Sequence, residues 1–188
     1  MNNIIIGDGA LGTELRDRGV EVPSHTESIW SALALTENPE EIKQIHLDYI
    51  EAGSDFITIN NYAVTQPLLE RVNRADELID LTLKSIELGK DAIKESKKDI
   101  KLAGSLPPLE TSYRADLVQD RERMIEQYSE IAAILENKVD IIICETMSSS
   151  LEAKSALACV KNSSAEVWLS WTLMGNRKNL LPSGENIV

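Results

Sequence analysis

Two carboxylates stand where short apolar runs break off. Asp8 follows Ile4-Ile5-Ile6-Gly7, and Glu145 directly follows Asp140-Ile-Ile-Ile-Cys144. A charge emerging from so apolar a segment needs a partner, either a protein cation or a ligand ammonium. Two acids over one sheet face could hold an amino group. They could also bond loop amides, with Glu145 capping the next helix. Trp30 and Tyr62 add aromatic surface, and such a pair beside acids can cradle an onium group by cation–π attraction. The alternative for Trp30, within Ser28-Ile29-Trp30-Ser31, is a packed loop anchor. The two histidines, His25 and His46, are isolated, and His46 falls on a helix stripe as a surface or packing residue. No Ser-His-Asp order, His-x-His pair or Cys-x-x-Cys is present, which argues against a serine hydrolase and an in-chain zinc site. No strand ends in the lysine that a Schiff-base aldolase requires. The run Gly7-Asp8-Gly9-Ala10-Leu11-Gly12 superficially matches a dinucleotide fingerprint. However, Asp8 puts a carboxylate where pyrophosphate would approach backbone amides.

The elements that must position these residues alternate from end to end. Apolar runs at Ile4–Ile6, Asp55–Asn60, Ile100–Ala103, Val139–Cys144 and Val167–Leu173 read as five strands, and their lack of polar alternation suits a parallel sheet covered on both faces. Between them the spacing predicts helices. One has Asn38 as N-cap, Pro39 at the first position and Glu41 closing a capping-box-like pattern, with Ile42, Ile45, His46 and Tyr49 as its stripe and Gly53 as its end. A second runs from Ala75 to Lys97. A third runs from Arg121 to Asn137 with Met124, Tyr128, Ile131 and Leu135 on one face. A fourth opens at Ser149 with Glu152 and reaches about Val160. The repeat is that of a (β/α)₈ barrel or a doubly wound sheet. The strands end in Asp8, Asn60-Asn61-Tyr62, Ser105, Glu145-Thr146 and Thr172, and barrel active sites gather at that face.

With 188 residues, the chain allows one domain spanning 1–188. Apolar residues make up 43% and aromatics number only eight, so Leu, Ile, Val and Ala must fill the core. The net charge of −12 argues against a nucleic-acid partner and an anionic membrane surface. Cys144 and Cys159 cannot form a disulfide framework, which points to a reducing cytoplasm. A basic leader and an apolar run of ~20 residues are both lacking, so neither a signal peptide nor a membrane span is expected.

Taken in order, several segments resemble the homocysteine S-methyltransferases, the family of the S-methylmethionine- and betaine-dependent enzymes. They are Asp8-Gly9-Ala10-Leu11-Gly12-Thr13-Glu14-Leu15, Leu35-Thr36-Glu37-Asn38-Pro39-Glu40 and His46-Leu47-Asp48-Tyr49 with Ala52-Gly53-Ser54. Next come Asn60-Asn61-Tyr62-Ala63-Val64-Thr65, Ala103-Gly104-Ser105, Cys144-Glu145-Thr146 and Ser170-Trp171-Thr172-Leu173. The resemblance implies a TIM-barrel fold and methyl transfer from an onium donor to homocysteine, giving methionine. It places Asp8, Gly9 and Glu145 at the amino-acid end of homocysteine. Trp30 and Tyr62, with Asn61 and Thr146, fall at the methyl-donor pocket. Trp30-Ser31 is more similar to the S-methylmethionine branch, whereas Leu106-Pro107-Pro108 departs from the family's usual Val-Gly-Pro run.

The family's zinc is held by three cysteines, one in a Gly-x-Asn-Cys segment and two in a Gly-Gly-Cys-Cys pair. Neither segment occurs here, so the expectation is a barrel of about five βα units that ends after strand five. Such a chain should hold no Zn(2+) of its own and lack activity, and no catalytic side chain is assigned. It should also self-associate through open sheet edges. The competing expectation is a non-catalytic, truncated or degenerate barrel that binds amino acids or serves as an interaction surface.

Overall fold

The computed structural model describes residues 4–24, 28–175 and 179–187, so His25 lies outside the described residues. Its centre is a parallel sheet of four strands in sequence order: β1 (Phe56–Thr58), β2 (Lys101–Leu106), β3 (Ile141–Met147) and β4 (Glu166–Trp171). The register pairs Ile57 with Leu102, Gly104 with Ile142 and Ile143 with Trp168. Consecutive parallel strands in unbroken order, each joined by helical crossovers, are the winding of a barrel rather than of a doubly wound sheet, whose order reverses at a switch point.

The Ile4–Ile6 segment corrects the expectation of a first full strand. It runs parallel to β1 but meets it through a single bridge, Gly7 to Phe56. The Asp55 amide donates to the Ile6 carbonyl at 2.7 Å and the Asp8 amide to the Phe56 carbonyl at 3.2 Å. Ile4 is 85% exposed, so β-propensity alone, without a covering layer, does not produce a ladder here. Coverage on both faces also fails at β4, whose residues are half-buried or exposed, while β2 beyond Lys101 and most of β3 are buried.

Seven α-helices are described: α1 (Leu11–Asp17), α2 (Ala34–Glu37), α3 (Pro39–Ala52), α4 (Gln66–Arg71), α5 (Leu78–Ser96), α6 (Arg121–Leu135) and α7 (Ser150–Val160). Helix α3 begins at Pro39 and stops at Gly53, φ 106°, as expected. The Asn38 side chain makes no cap bond, so the capping box predicted there does not form. At α7 the Ser149 half of the box forms, while the return bond from Glu152 reaches past Ser149 to Ser148. The Ser149 hydroxyl accepts from the Glu152 amide at 3.1 Å, and the Glu152 carboxylate accepts from the Ser148 amide and hydroxyl at 2.9 Å. The long helix starts later than predicted, at Leu78, because Ala75–Glu77 form a separate 3-10 turn.

The predicted α6 stripe is the core. Met124, Tyr128, Ile131 and Leu135 are all buried, and the Tyr128 hydroxyl donates to the Pro107 carbonyl at 2.9 Å. Each such side chain contributes roughly 1.5–3 kcal/mol of apolar burial. His46 settles as a packing residue, wholly buried on α3 with both ring nitrogens lacking a hydrogen-bond partner. Burial pushes its pKa down to about 4, so it packs as a neutral ring.

Candidate functional site

A cavity of about 530 Å³ opens at the C-terminal ends of the strands. Asp8, Gly9, Trp30, Tyr62, Glu145 and Thr146 all line it, brought together from four separate stretches of chain. Asn61 does not line it. That residue falls in step with buried Ile57 and Ile59, and its amide locks onto Ser105, donating to the carbonyl at 2.9 Å and accepting from the amide at 3.0 Å. Thr172, another polar strand end, also lies off the cavity; its amide donates to the Met147 carbonyl at 3.1 Å.

Asp8 is held by Thr58, whose amide and hydroxyl donate to its two oxygens at 2.8 and 3.0 Å. Desolvation outweighs those bonds and pushes the Asp8 pKa up to about 6, with the Glu145 charge adding to the rise. Glu145 accepts from the Ser105 hydroxyl, and burial raises its pKa as well. Neither carboxylate forms an ion pair among the described residues. Two desolvated acids with only neutral donors to hold them make a site that gains by receiving a cation. Among the described residues the one cationic side chain in the lining is Arg16, which directs Nε and Nη2 to the Val22 carbonyl at 3.3 and 3.1 Å.

Trp30 and Tyr62 meet edge to face, centroids 6.1 Å apart and planes at 73°. Ser31 and Asn60 fix the tryptophan's loop: the Ser31 hydroxyl donates to Asn60 Oδ1 and Asn60 Nδ2 donates to the Ser31 backbone carbonyl, both at 2.8 Å. Gly12 leaves room for the indole, since a Cβ there would stand 2.4 Å from it. A Cβ at Gly9 would stand 2.7 Å from the Tyr49 hydroxyl. The Tyr62 hydroxyl lies 2.8 Å from the Ser112 hydroxyl.

The site holds residues that the sequence did not single out: Thr58, Arg16, Ser112 and Tyr113. Thr58 had a signal, because it sits two residues before Asn60 in the apolar run read as a strand. Ser112 and Tyr113 had none, since they lie in a loop without periodicity. Backbone strain gathers here as well. Trp30, Tyr113 and Thr146 line the cavity with φ of 46°, 66° and 60°, a region costly for bulky and β-branched residues. Thr146 sits at the irregularity in the β3–β4 register between Cys144 and Met147.

The cysteines do not fit a zinc centre. Cys144 is fully buried in β3 and desolvation pushes its thiol up to about 12, far from the thiolate a metal requires. Cys159 on α7 bonds toward Ser129 and Ile125 of α6. Neither lines the cavity, and no cluster of three or more metal-ligating side chains occurs among the described residues.

A four-stranded parallel α/β sheet with an acid- and aromatic-lined cavity at its strand ends defines the class as an incomplete TIM-barrel-like fold. A family model described as homocysteine S-methyltransferase matches residues 5–188, and the chain belongs to that family. It is 32% identical over 189 residues to the homocysteine S-methyltransferase of Escherichia coli K12, covering 91% of this chain and 59% of the relative. It is also 30% identical over 190 residues to homocysteine S-methyltransferase YbgG of Bacillus subtilis 168, covering 90% and 58%. The crystal structure of the E. coli homocysteine methyltransferase MmuM in its metallated form superposes with a TM-score of 0.83 at 27% identity, covering 99% of this chain and 68% of that one. This chain thus spans about 60% of the length of the curated relatives it matches.

Proposed function

We propose that the cavity binds the amino-acid end of homocysteine through Asp8, Gly9 and Glu145, and a methylated onium donor such as S-methylmethionine beside Trp30 and Tyr62. The observation that carries this reading is the pair of desolvated carboxylates that form no ion pair among the described residues, with Arg16 turned to the Val22 carbonyl instead; an ammonium would complete the pair. In the transfer, the homocysteine thiolate attacks the donor methyl carbon. A new C–S bond forms, the donor's methyl–sulfur bond breaks, and its electron pair stays on the donor sulfur, which leaves as a neutral thioether. The products are methionine and the demethylated donor. The chain's own residues bind and orient, which are proximity contributions to the rate. A free thiol titrates near ~8.5, and the described residues supply no group that lowers it.

That last point supports a second reading, in which the 188-residue chain binds homocysteine without methylating it. One experiment addresses both. Homocysteine is titrated into the purified chain by calorimetry, and methionine formation is followed with S-methylmethionine present. Saturable homocysteine binding without turnover supports the second reading, and turnover supports the first. No binding in either wild-type arm overturns both.

A further inference from the structure

Tyr113 stands out for reasons independent of the residues already assigned. It lines the same cavity as Trp30 and Tyr62, yet the residue is 64% exposed. Its φ is 66°, left-handed for a bulky residue that no neighbouring helix end requires. Such a conformation costs on the order of 1–3 kcal/mol and persists only where surrounding contacts impose it. Those contacts are present. Arg71 donates to the Thr111 hydroxyl at 3.1 Å and pairs with Glu110, Gln119 donates to Glu110 at 3.3 Å, and Ser112 meets the Tyr62 hydroxyl at 2.8 Å. A loop tied on both sides therefore presents a strained, largely exposed tyrosine at the cavity that the edge-to-face pair of Trp30 and Tyr62 also lines.

We propose that Tyr113 is the third aromatic wall of the donor pocket, and that it selects a sulfonium amino acid over its uncharged thioether. The proposal rests on the functional reading above. The chemistry is the attraction of a desolvating onium to the face of an aromatic ring within about 6 Å. Asp8 and Glu145 in the same cavity favour the same sign of charge. A neutral thioether of equal shape gains the contact area but not the electrostatic attraction, so ring loss should act on one ligand and spare the other.

The test compares S-methylmethionine with methionine as ligands of the full 188-residue chain, by calorimetry and tryptophan fluorescence, in wild type, Tyr113→Phe, Tyr113→Ala and Tyr113→Gly. The Ala variant should weaken S-methylmethionine binding about 2- to 30-fold, while methionine affinity stays within about 2-fold. The Phe variant should keep the wild-type preference. Because the Gly variant loses the ring and relaxes the left-handed backbone, it should bind like Ala while melting no lower than wild type. Equal loss of both ligands, or an unchanged preference in the Ala and Gly variants, overturns the role of Tyr113 alone. A wild-type chain that binds neither ligand overturns the functional reading and this inference with it.

Discussion

Glu145 and Asp8 are the charges that an incoming ammonium would meet, and neutral donors rather than protein cations hold them. Replacing Glu145 with Gln or Ala should weaken homocysteine binding tens- to hundreds-fold, since a charge-assisted contact to a buried ammonium contributes on the order of 2–3 kcal/mol. Donor binding should change much less; near-normal homocysteine affinity in Glu145→Ala would return this carboxylate to a structural role. Asp8 gives the site a pH signature. With its pKa pushed up to about 6, it takes a proton as the pH falls through that value, while the ligand ammonium keeps its own. Homocysteine affinity should therefore drop between pH 7 and 5, and Asp8→Asn should bind weakly with a flatter profile. An identical pH profile in wild type and Asp8→Asn would remove Asp8 from the site.

At the scale of elements, two helix starts that look alike in sequence differ in the fold. Ser149 accepts the Glu152 amide, whereas the Asn38 side chain makes no cap bond. Ser149→Ala should cost about 1 kcal/mol in a urea titration, and Asn38→Ala should cost clearly less; the reverse order would contradict the cap geometry. Helix α3 also carries His46, held neutral by burial with a pKa near 4 against 6.5 for a free ring. Between those values the unfolded chain binds a proton that the folded chain refuses, so stability declines as pH falls through that window. His46→Leu should remove this slope. Asp8 works in the opposite sense, because its raised pKa makes the folded state the better proton binder from about 3.8 to 6. The comparison is therefore cleanest in an Asp8→Asn background. If acidification destabilises the histidine-free chain just as steeply, the buried ring is not the cause.

For the molecule as a whole, the outer side of β4 has no strand partner among the described residues, and Trp171 and Leu173 are exposed. Ile4, Ile5 and Ile6 are exposed at the opposite edge. Such edges template pairing with other chains, opposed here by a net charge of −12. The 188-residue chain should therefore self-associate more strongly as salt screens that charge. Light scattering should show smaller species for Trp171→Lys; a monodisperse wild-type monomer with a sharp melt and no hydrophobic-dye binding would refute this. The sequence by itself determined much of the chain's architecture. The parallel α/β winding, the α6 stripe, the Gly53 stop and the Ser149 cap follow from local periodicity and hydrogen-bonding chemistry. Asp8 and Glu145 were legible too, because a carboxylate at the end of an apolar run is conspicuous without any partner in view. Only the tertiary structure decided the rest. Ile4–Ile6 has strand propensity but forms one bridge, since a ladder needs a covering layer that propensity does not supply. Asn61 turns inward to tie Ser105, and Tyr113 comes to line the cavity, because loop closure and long-range packing set those positions.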